Sequence, residues 1–397
     1  MKHFLVFGNH PFLSLAEAKA FIGGEKPLIA GKMAIFDREE WNAGKLQASL
    51  GGTVKLGDIM DELDIKDLTA LRLAEVIEAM PRAEEHKKIE FGITLYGASP
   101  EDARRFKGLP LQLKRALQDF GHPVRWVTGD RGEVTPAAVA KAHLTTEGFD
   151  LVLGFFDKKV FIGLSTHVQN ADAWSLRDYG RPFRDEVAGM LPPKLARLMV
   201  NLGLSQVTSD KLQVTTLLDP FCGGGTVLME AAIAGVGSLI GSDLSVDQIK
   251  GCEQNFAWLA AQNIVRTPLA TVVSDVREVN KHVEAADVIV TEGHLGRPLT
   301  GQETLKTLED QKKEIEKIWI EALVSFAKIQ PAGSRLVCVW PVFVSSHGTI
   351  AVDLKTKVQD LGYRLVDPLD GWAKPLTLTY ARPEQKVRRN IVVMERI

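Results

Sequence analysis

Between the apolar run ending at Leu218 and the apolar helical pattern opening at Val227 lies Asp219-Pro220-Phe221-Cys222-Gly223-Gly224-Gly225-Thr226, an acid followed by three glycines. Glycine lets the backbone turn tightly and lets a ligand approach without meeting a Cβ. A strand, a glycine loop and a helix in that order form a nucleotide-type cofactor site at the carboxyl end of a parallel strand. Two phosphate-binding forms of that site are excluded. A dinucleotide fingerprint needs Gly-x-Gly-x-x-Gly, and Leu228 stands at its third position. A P-loop needs Lys before Ser or Thr, and no lysine follows Asp219 until Lys250. What remains is a cofactor with no phosphate and a cationic amino-acid end. S-adenosylmethionine has that chemistry. Asp219 would face its ammonium and the glycines would lie against its sugar, so Asp219, Phe221, Gly223 and Gly225 are the expected binding residues of the loop. A tight turn without a ligand is the plainer alternative.

Two further apolar runs end on acids: 237–242 leads into Asp243, and 269–274 into Asp275. An acid about 20 residues past a glycine loop, at the tip of the next strand, suits ribose hydroxyls. A carboxylate at the third tip can accept the adenine amino group. Asp243 also stands where it can cap the following helix, but an acid at three successive strand tips points beyond capping.

The 219–226 segment resembles the Asp-Pro-Phe-x-Gly-x-Gly-Thr motif of amino-group methyltransferases. Upstream, Arg177-Asp178-Tyr179-Gly180-Arg181-Pro182 and Gly189-Met190-Leu191-Pro192-Pro193-Lys194-Leu195-Ala196-Arg197 are similar to the segment before that motif in THUMP-domain RNA methyltransferases, above all the tRNA guanosine-N2 methyltransferases. The resemblance runs from about residue 90 to the end of the sequence. It implies a Rossmann-like methyltransferase domain with a mostly parallel sheet and a C-terminal antiparallel hairpin, preceded by a ferredoxin-like and THUMP-like α+β region. It also implies S-adenosylmethionine as methyl donor, tRNA as substrate, and Asp178, Arg181 and Pro192 near the methionine end of the cofactor.

The fourth apolar run, 286–291, leads into Glu292-Gly293-His294-Leu295-Gly296, where the family pattern is Asp/Asn-Pro-Pro-Tyr/Phe. In the family the first residue accepts hydrogen bonds from the exocyclic amine, and the aromatic stacks on the flipped base. Glu292 keeps the acceptor. Gly293 replaces proline and gives up its stiffness, and His294 takes the aromatic position. Glu292 and His294 are thus the expected catalytic pair. The replacements leave open a domain that binds RNA without turnover, and a DNA amino-methyltransferase shares the same catalytic half.

The rest of the sequence frames these residues. With 397 residues, 45% hydrophobic and 25% charged, it has the composition of a globular protein of two or three domains. No apolar run reaches the ~18 residues of a membrane span, and no signal peptide is evident, so a cytoplasmic location is expected. Three scattered cysteines fit neither a disulfide framework nor a zinc site. A net charge of −2 argues against bulk capture of nucleic acid but allows a local patch. Arg104, Arg105, Lys114, Arg125 and Arg131 concentrate basic charge in one stretch, and Arg181 adds to a later one. Arg104, Arg105, Lys114, Arg125 and Arg181 are the expected RNA contacts, against the blander reading of solvated faces.

Strand and helix signals divide the chain into four parts. Residues 1–84 read as a ferredoxin-like α/β domain, with Ser14 and Glu17 as a capping box. Residues 85–170 read as the THUMP-like RNA-binding domain, opening on a strand over 89–96, with an α/β domain that merely packs as the alternative. Residues 171–213 are a linker. Residues 214–397 are the methyltransferase domain, with a long charged helix over about 302–329 and closing strands over 376–380 and 389–394.

Overall fold

The β-branched and aromatic run Ile89–Tyr96 forms a strand with those bounds in the computed structural model, inside an eight-stranded mixed sheet. The structure describes residues 1–85, 88–129, 132–185, 190–208, 210–373 and 378–397. Arg131, Gly189, Leu376 and Thr377 fall outside them. The chain divides into two units, Met1–Leu15 with Gly24–Ala173, and Ala16–Gly23 with Trp174–Ile397.

The strands of the first unit are β1 (Lys2–Phe7), β2 (Leu28–Ala30), β3 (Met33–Asp37), β4 (Thr53–Asp64), β5 (Ile89–Tyr96), β6 (Val124–Trp126), β7 (Phe149–Phe156) and β8 (Lys159–Val168). Their order is β2-β3-β1-β4-β8-β7-β5-β6. Strand β4 pairs with β8 from Lys55↔Val168 to Asp64↔Lys159. The division expected between residues 84 and 85 therefore falls within one continuous sheet. A short helix, Pro81–Glu85, lies at the expected boundary. The Ser14 cap also fails. The helix begins at Pro11, whose ring suits a first turn, so Ser14 lies inside it and its hydroxyl donates to the His10 carbonyl at 3.1 Å. Lys55 is buried in this unit, and its ammonium reaches both oxygens of Asp150, which the Ser165 hydroxyl also meets at 2.6 Å.

In the second unit the strands are β9 (Thr216–Asp219), β10 (Ser238–Asp243), β11 (Leu269–Val273), β12 (Val288–Val290), β13 (Arg335–Ser345), β14 (Gly348–Ala351), β15 (Tyr363–Val366), β16 (Thr379–Tyr380) and β17 (Val387–Arg396). The main path is β11-β10-β9-β12-β13-β17-β15. Strands β11 to β13 run parallel, and β17 lies antiparallel between β13 and β15. This is the expected Rossmann-like sheet. The closing strand has one difference of detail: its hairpin with β16 spans only Thr379↔Asn390 and Tyr380↔Arg389, and Tyr363–Val366 supplies the sheet edge. The long helix runs Leu305–Phe326 and packs Trp319, Leu323 and Phe326 into the core with Leu336, Trp340 and Phe343.

The strand order reverses between β9 and β12. Ligands in open α/β sheets bind outside the carboxyl ends of the strands at such a switch point. Asp219 ends β9 and Glu292 lies two residues past the end of β12, so the fold brings the glycine loop and the divergent fourth-strand loop to the same crevice.

Candidate active site

A cleft of about 1170 Å³ opens at this crevice, and Asp219, Phe221, Gly223, Asp243, Asp275, Glu292 and His294 all line it. Gly225 stands just behind, at the start of the helix Thr226–Ala234. Its φ of +80° is a glycine conformation, and an added Cβ would lie 2.6 Å from Cys252 Sγ. Cys222, within the loop and lining the cleft, and Cys252, packed against Gly225, are both buried. The neighbouring Cys252 side chain and burial together push the Cys222 thiol well above its usual range.

The three acids are held differently. Asp219 is 2% exposed and accepts the Phe221 amide at 3.2 Å. Burial pushes its carboxyl up to about 7, and the Asp243 and Glu292 charges add to the effect. A buried carboxylate without a cation beside it is costly to ionise, so the site favours a cationic ligand group. Asp243 accepts the Gly223 amide at 3.0 Å and the Ser245 amide at 2.9 Å, one on each oxygen. Each oxygen keeps a lone pair for a further donor. Asp275 caps the short helix that follows, accepts the Arg277 amide at 3.0 Å and pairs with the Arg277 guanidinium, which holds its carboxyl below the usual range.

The segment before the sheet meets the loop through Asn255, which sequence reading missed. Asn255 is fully buried; its amide group donates to the Gly224 carbonyl at 2.8 Å and the Phe183 carbonyl at 3.0 Å, and accepts from the Phe183 amide. Its only sequence signal was a polar residue on the inner side of an amphipathic helix. Arg181 is 3% exposed, lines the cleft, and donates to the Thr226 hydroxyl, while its Nε is buried without a partner. Its place is the cofactor cleft, near the expected methionine end, and not an exposed basic face.

The other basic residues lie in the first unit. Arg104, Arg105 and Arg125 are exposed and Lys114 is half-buried. Arg125 is paired with Glu90 at 3.1 Å, and Arg105 donates to the Lys66 carbonyl at 3.3 Å.

At the fourth-strand loop, Glu292 Oε1 accepts Arg389 Nε at 2.5 Å. Arg389, the first residue of the closing strand expected over 389–394, sits on β17 and reaches across β13 to the loop. Gly293 has φ +74°, and a Cβ there would lie 2.4 Å from Trp319 Cζ2. Proline, with φ fixed near −65°, cannot adopt this backbone. Trp319 also packs on Phe221, with ring centroids 5.8 Å apart, so one indole supports both loops. His294 is exposed at the cleft edge, where partial burial holds its imidazole below the usual value. Among the described residues no cluster of His, Cys, Asp and Glu forms a metal site, and no helix is long and apolar enough to cross a membrane.

Known proteins resemble the chain in this region. Residues 181–322 match the RMKL-like methyltransferase domain family UPF0020. A tRNA (guanine(10)-N2)-dimethyltransferase of Methanothermobacter thermautotrophicus is 35% identical over 120 residues, 30% of this chain and 31% of that protein. One from Pyrococcus abyssi is 35% identical over 160 residues, 40% of this chain and 45% of the relative. The matches thus span less than half the length of these relatives. The crystal structure of TrmN from Thermus thermophilus aligns over 100% of both chains with a TM-score of 0.55 at 16% identity, a likeness of fold. The match over residues 181–322 thus takes in the glycine loop, the three strand-tip acids and Glu292, and it is to a methyltransferase domain of the RMKL-like type.

Proposed function

We propose that the protein is a cytoplasmic S-adenosylmethionine-dependent methyltransferase acting on the exocyclic amine of a base in RNA, with guanosine N2 in tRNA as the target. One observation carries the reading: the acids at three strand tips and the Glu292 acceptor line a single cleft at the switch point of a methyltransferase-type sheet. The named activity of the relatives supplies the substrate class. The residues present fit the cofactor. Asp219 takes the ammonium, the unpartnered Nε of the buried Arg181 suits the methionine carboxylate, Asp243 keeps capacity for ribose hydroxyls, and Asp275 receives the adenine amine.

When bound, the cofactor supplies a sulfonium methyl that the amine nitrogen takes by in-line displacement. The protein's part is positioning. Among the described residues no hydrogen bond reaches Glu292 Oε2, which is therefore available to accept an amine N–H, draw electron density toward the nitrogen and receive the surplus proton. His294, neutral at pH 7, packs at the mouth against the flipped base. The exposed Arg104, Arg105 and Arg125 and half-buried Lys114, in what we read as the THUMP-like RNA-binding region, contact phosphates. Mass spectrometry of tRNA nucleosides from cells with and without the protein tests this. A methylated guanosine that disappears with the protein and with Glu292→Ala is expected. Uptake of labelled methyl into duplex DNA in preference to tRNA would overturn the RNA assignment, and an unchanged cofactor affinity in Asp219→Ala would overturn the cofactor assignment.

A further inference from the structure

Arg389 is 7% exposed and lines the cleft, yet only one of its N–H groups has a protein partner among the described residues. A guanidinium carries five donors in a planar fork. The remaining donors are open to the cleft rather than sealed away without partners, so they are free to meet an acceptor that enters it. Their place is set by the one bond that is made. Nε grips Glu292 Oε1 and leaves Oε2 for the substrate, so acceptor and donor stand side by side at the mouth of the cofactor site.

That pairing has a chemical complement. An exocyclic amine on a nucleobase is bonded to a ring carbon that has at least one ring nitrogen beside it, and next to the N2 amine of guanine the N3 nitrogen is a hydrogen-bond acceptor. A carboxylate next to a guanidinium matches an amine donor next to a ring-nitrogen acceptor. We propose that Arg389 has two tasks: it fixes the rotamer of Glu292, and it donates from its free Nη groups to the ring nitrogen beside the amine that is methylated. The inference rests on the amine-methylating reading above and adds a reader for the base. It also accounts for the fourth-strand loop. Where the family pattern stiffens the acceptor with prolines in its own loop, this chain has a glycine, and a cation from a distant strand does the fixing.

The test uses the full-length protein, transcribed tRNA and labelled S-adenosylmethionine, with Arg389→Gln, Arg389→Lys, Glu292→Gln and the double variant Glu292→Gln/Arg389→Gln. Arg389→Gln is expected to lower kcat/KM by about 10–100-fold, the range of a lost charged hydrogen bond, with cofactor affinity by calorimetry within about twofold of the parent, well inside the tenfold that 1.4 kcal/mol would give. Arg389→Lys keeps the charge and the stem but not the fork; it holds the fold and recovers only part of the rate. In the Glu292→Gln background the second change costs less than it does in the parent, because the part of its effect that acts through Glu292 is already gone while the contact to the ring nitrogen remains to be lost. RNA carrying 3-deazaguanosine at the target, which lacks the ring acceptor, reacts more slowly with the parent and equally with Arg389→Gln. Fully additive losses, or a cofactor affinity that falls in step with the rate, would overturn the proposal; the second result would assign the guanidinium to the cofactor carboxylate. A parent protein that binds cofactor yet methylates no RNA amine would sink the underlying reading and this one with it, whereas a parent that methylates with Arg389→Gln unimpaired sinks this one alone.

Discussion

Asp243 is fixed by amides two and twenty residues away in the chain, whereas Glu292 is fixed by an arginine ninety-seven residues further on. The half of the cleft that we assign to the cofactor is built locally, from strand tips and the backbone that follows them. The half that we assign to the base is assembled from β17, the long helix and a glycine loop, and no short stretch contains it. The contrast teaches where a motif is free to drift. A loop that carries its own support must keep its residues, and the Asp-Pro-Phe pattern is kept. A loop supported from elsewhere can exchange proline for glycine, provided the distant partners are present. Trp319 is the point at which the two halves depend on each other, through Phe221 on one side and Gly293 on the other.

The largest effect is expected where the halves join. Trp319→Ala empties a site that is 1% exposed and should cost about 3–5 kcal/mol, the usual range for a buried aromatic. Urea titration would read it, and cofactor affinity should fall alongside; a loss of stability with the affinity intact would show that the halves are independent. Next, Asp219→Asn should weaken the cofactor by about 10–100-fold through loss of a charged hydrogen bond. The same acid sets a pH dependence. Its value in the folded protein, about 7, stands above the ordinary 3.8, so its contribution to stability is fully present below 3.8 and is lost as pH rises through 7. Cofactor binding needs the charged form and should weaken by about tenfold per pH unit below 7; Asn at 219 should flatten both profiles.

Gly293→Ala should cost about 1–3 kcal/mol, because its backbone has positive φ and its Cβ meets the indole. It should lower methyl transfer while leaving cofactor affinity near that of the parent, and an equal loss of both would erase the division drawn here. Arg277→Ala should do least. Its pair with Asp275 is half exposed, so stability should shift by no more than about 1 kcal/mol, with a small change in cofactor affinity.

The same division governs what could be read beforehand. Asp219, Asp243 and Asp275 were found because strand, loop and acid are neighbours in the chain, and the parallel sheet then aligned their tips without further information. Strand β5 was read to the residue because β-branched and aromatic residues recur through it, at Ile89, Phe91, Ile93, Thr94 and Tyr96. Ser14 misled because a serine and a glutamate three apart imitate a cap even inside a helix that Pro11 has already begun. The single sheet of the first unit was hidden because β4 finds its partner β8 about a hundred residues later. Arg389 was visible only as the first residue of an expected closing strand; its meaning came from the register of β17 on β13. Asn255 gave a similar signal, a polar side chain on an inward face whose partners lie in another segment. Arg181 is instructive in both directions, since the resemblance placed it beside the cofactor and its charge alone would have placed it on RNA.

The sulfur atoms packed behind the glycine bend give this molecule a built-in clock. Cys252 and Cys338 are fully buried and Cys222, at the wall of the cleft, is nearly so, which leaves a thiol reagent in solution little to attack until the surrounding structure opens. Since Cys222 belongs to the cofactor loop itself, the pace of its labelling counts how often that loop breathes. Occupation by any small molecule that seals the crevice will slow the count, which makes ligand discovery possible without an assay of turnover.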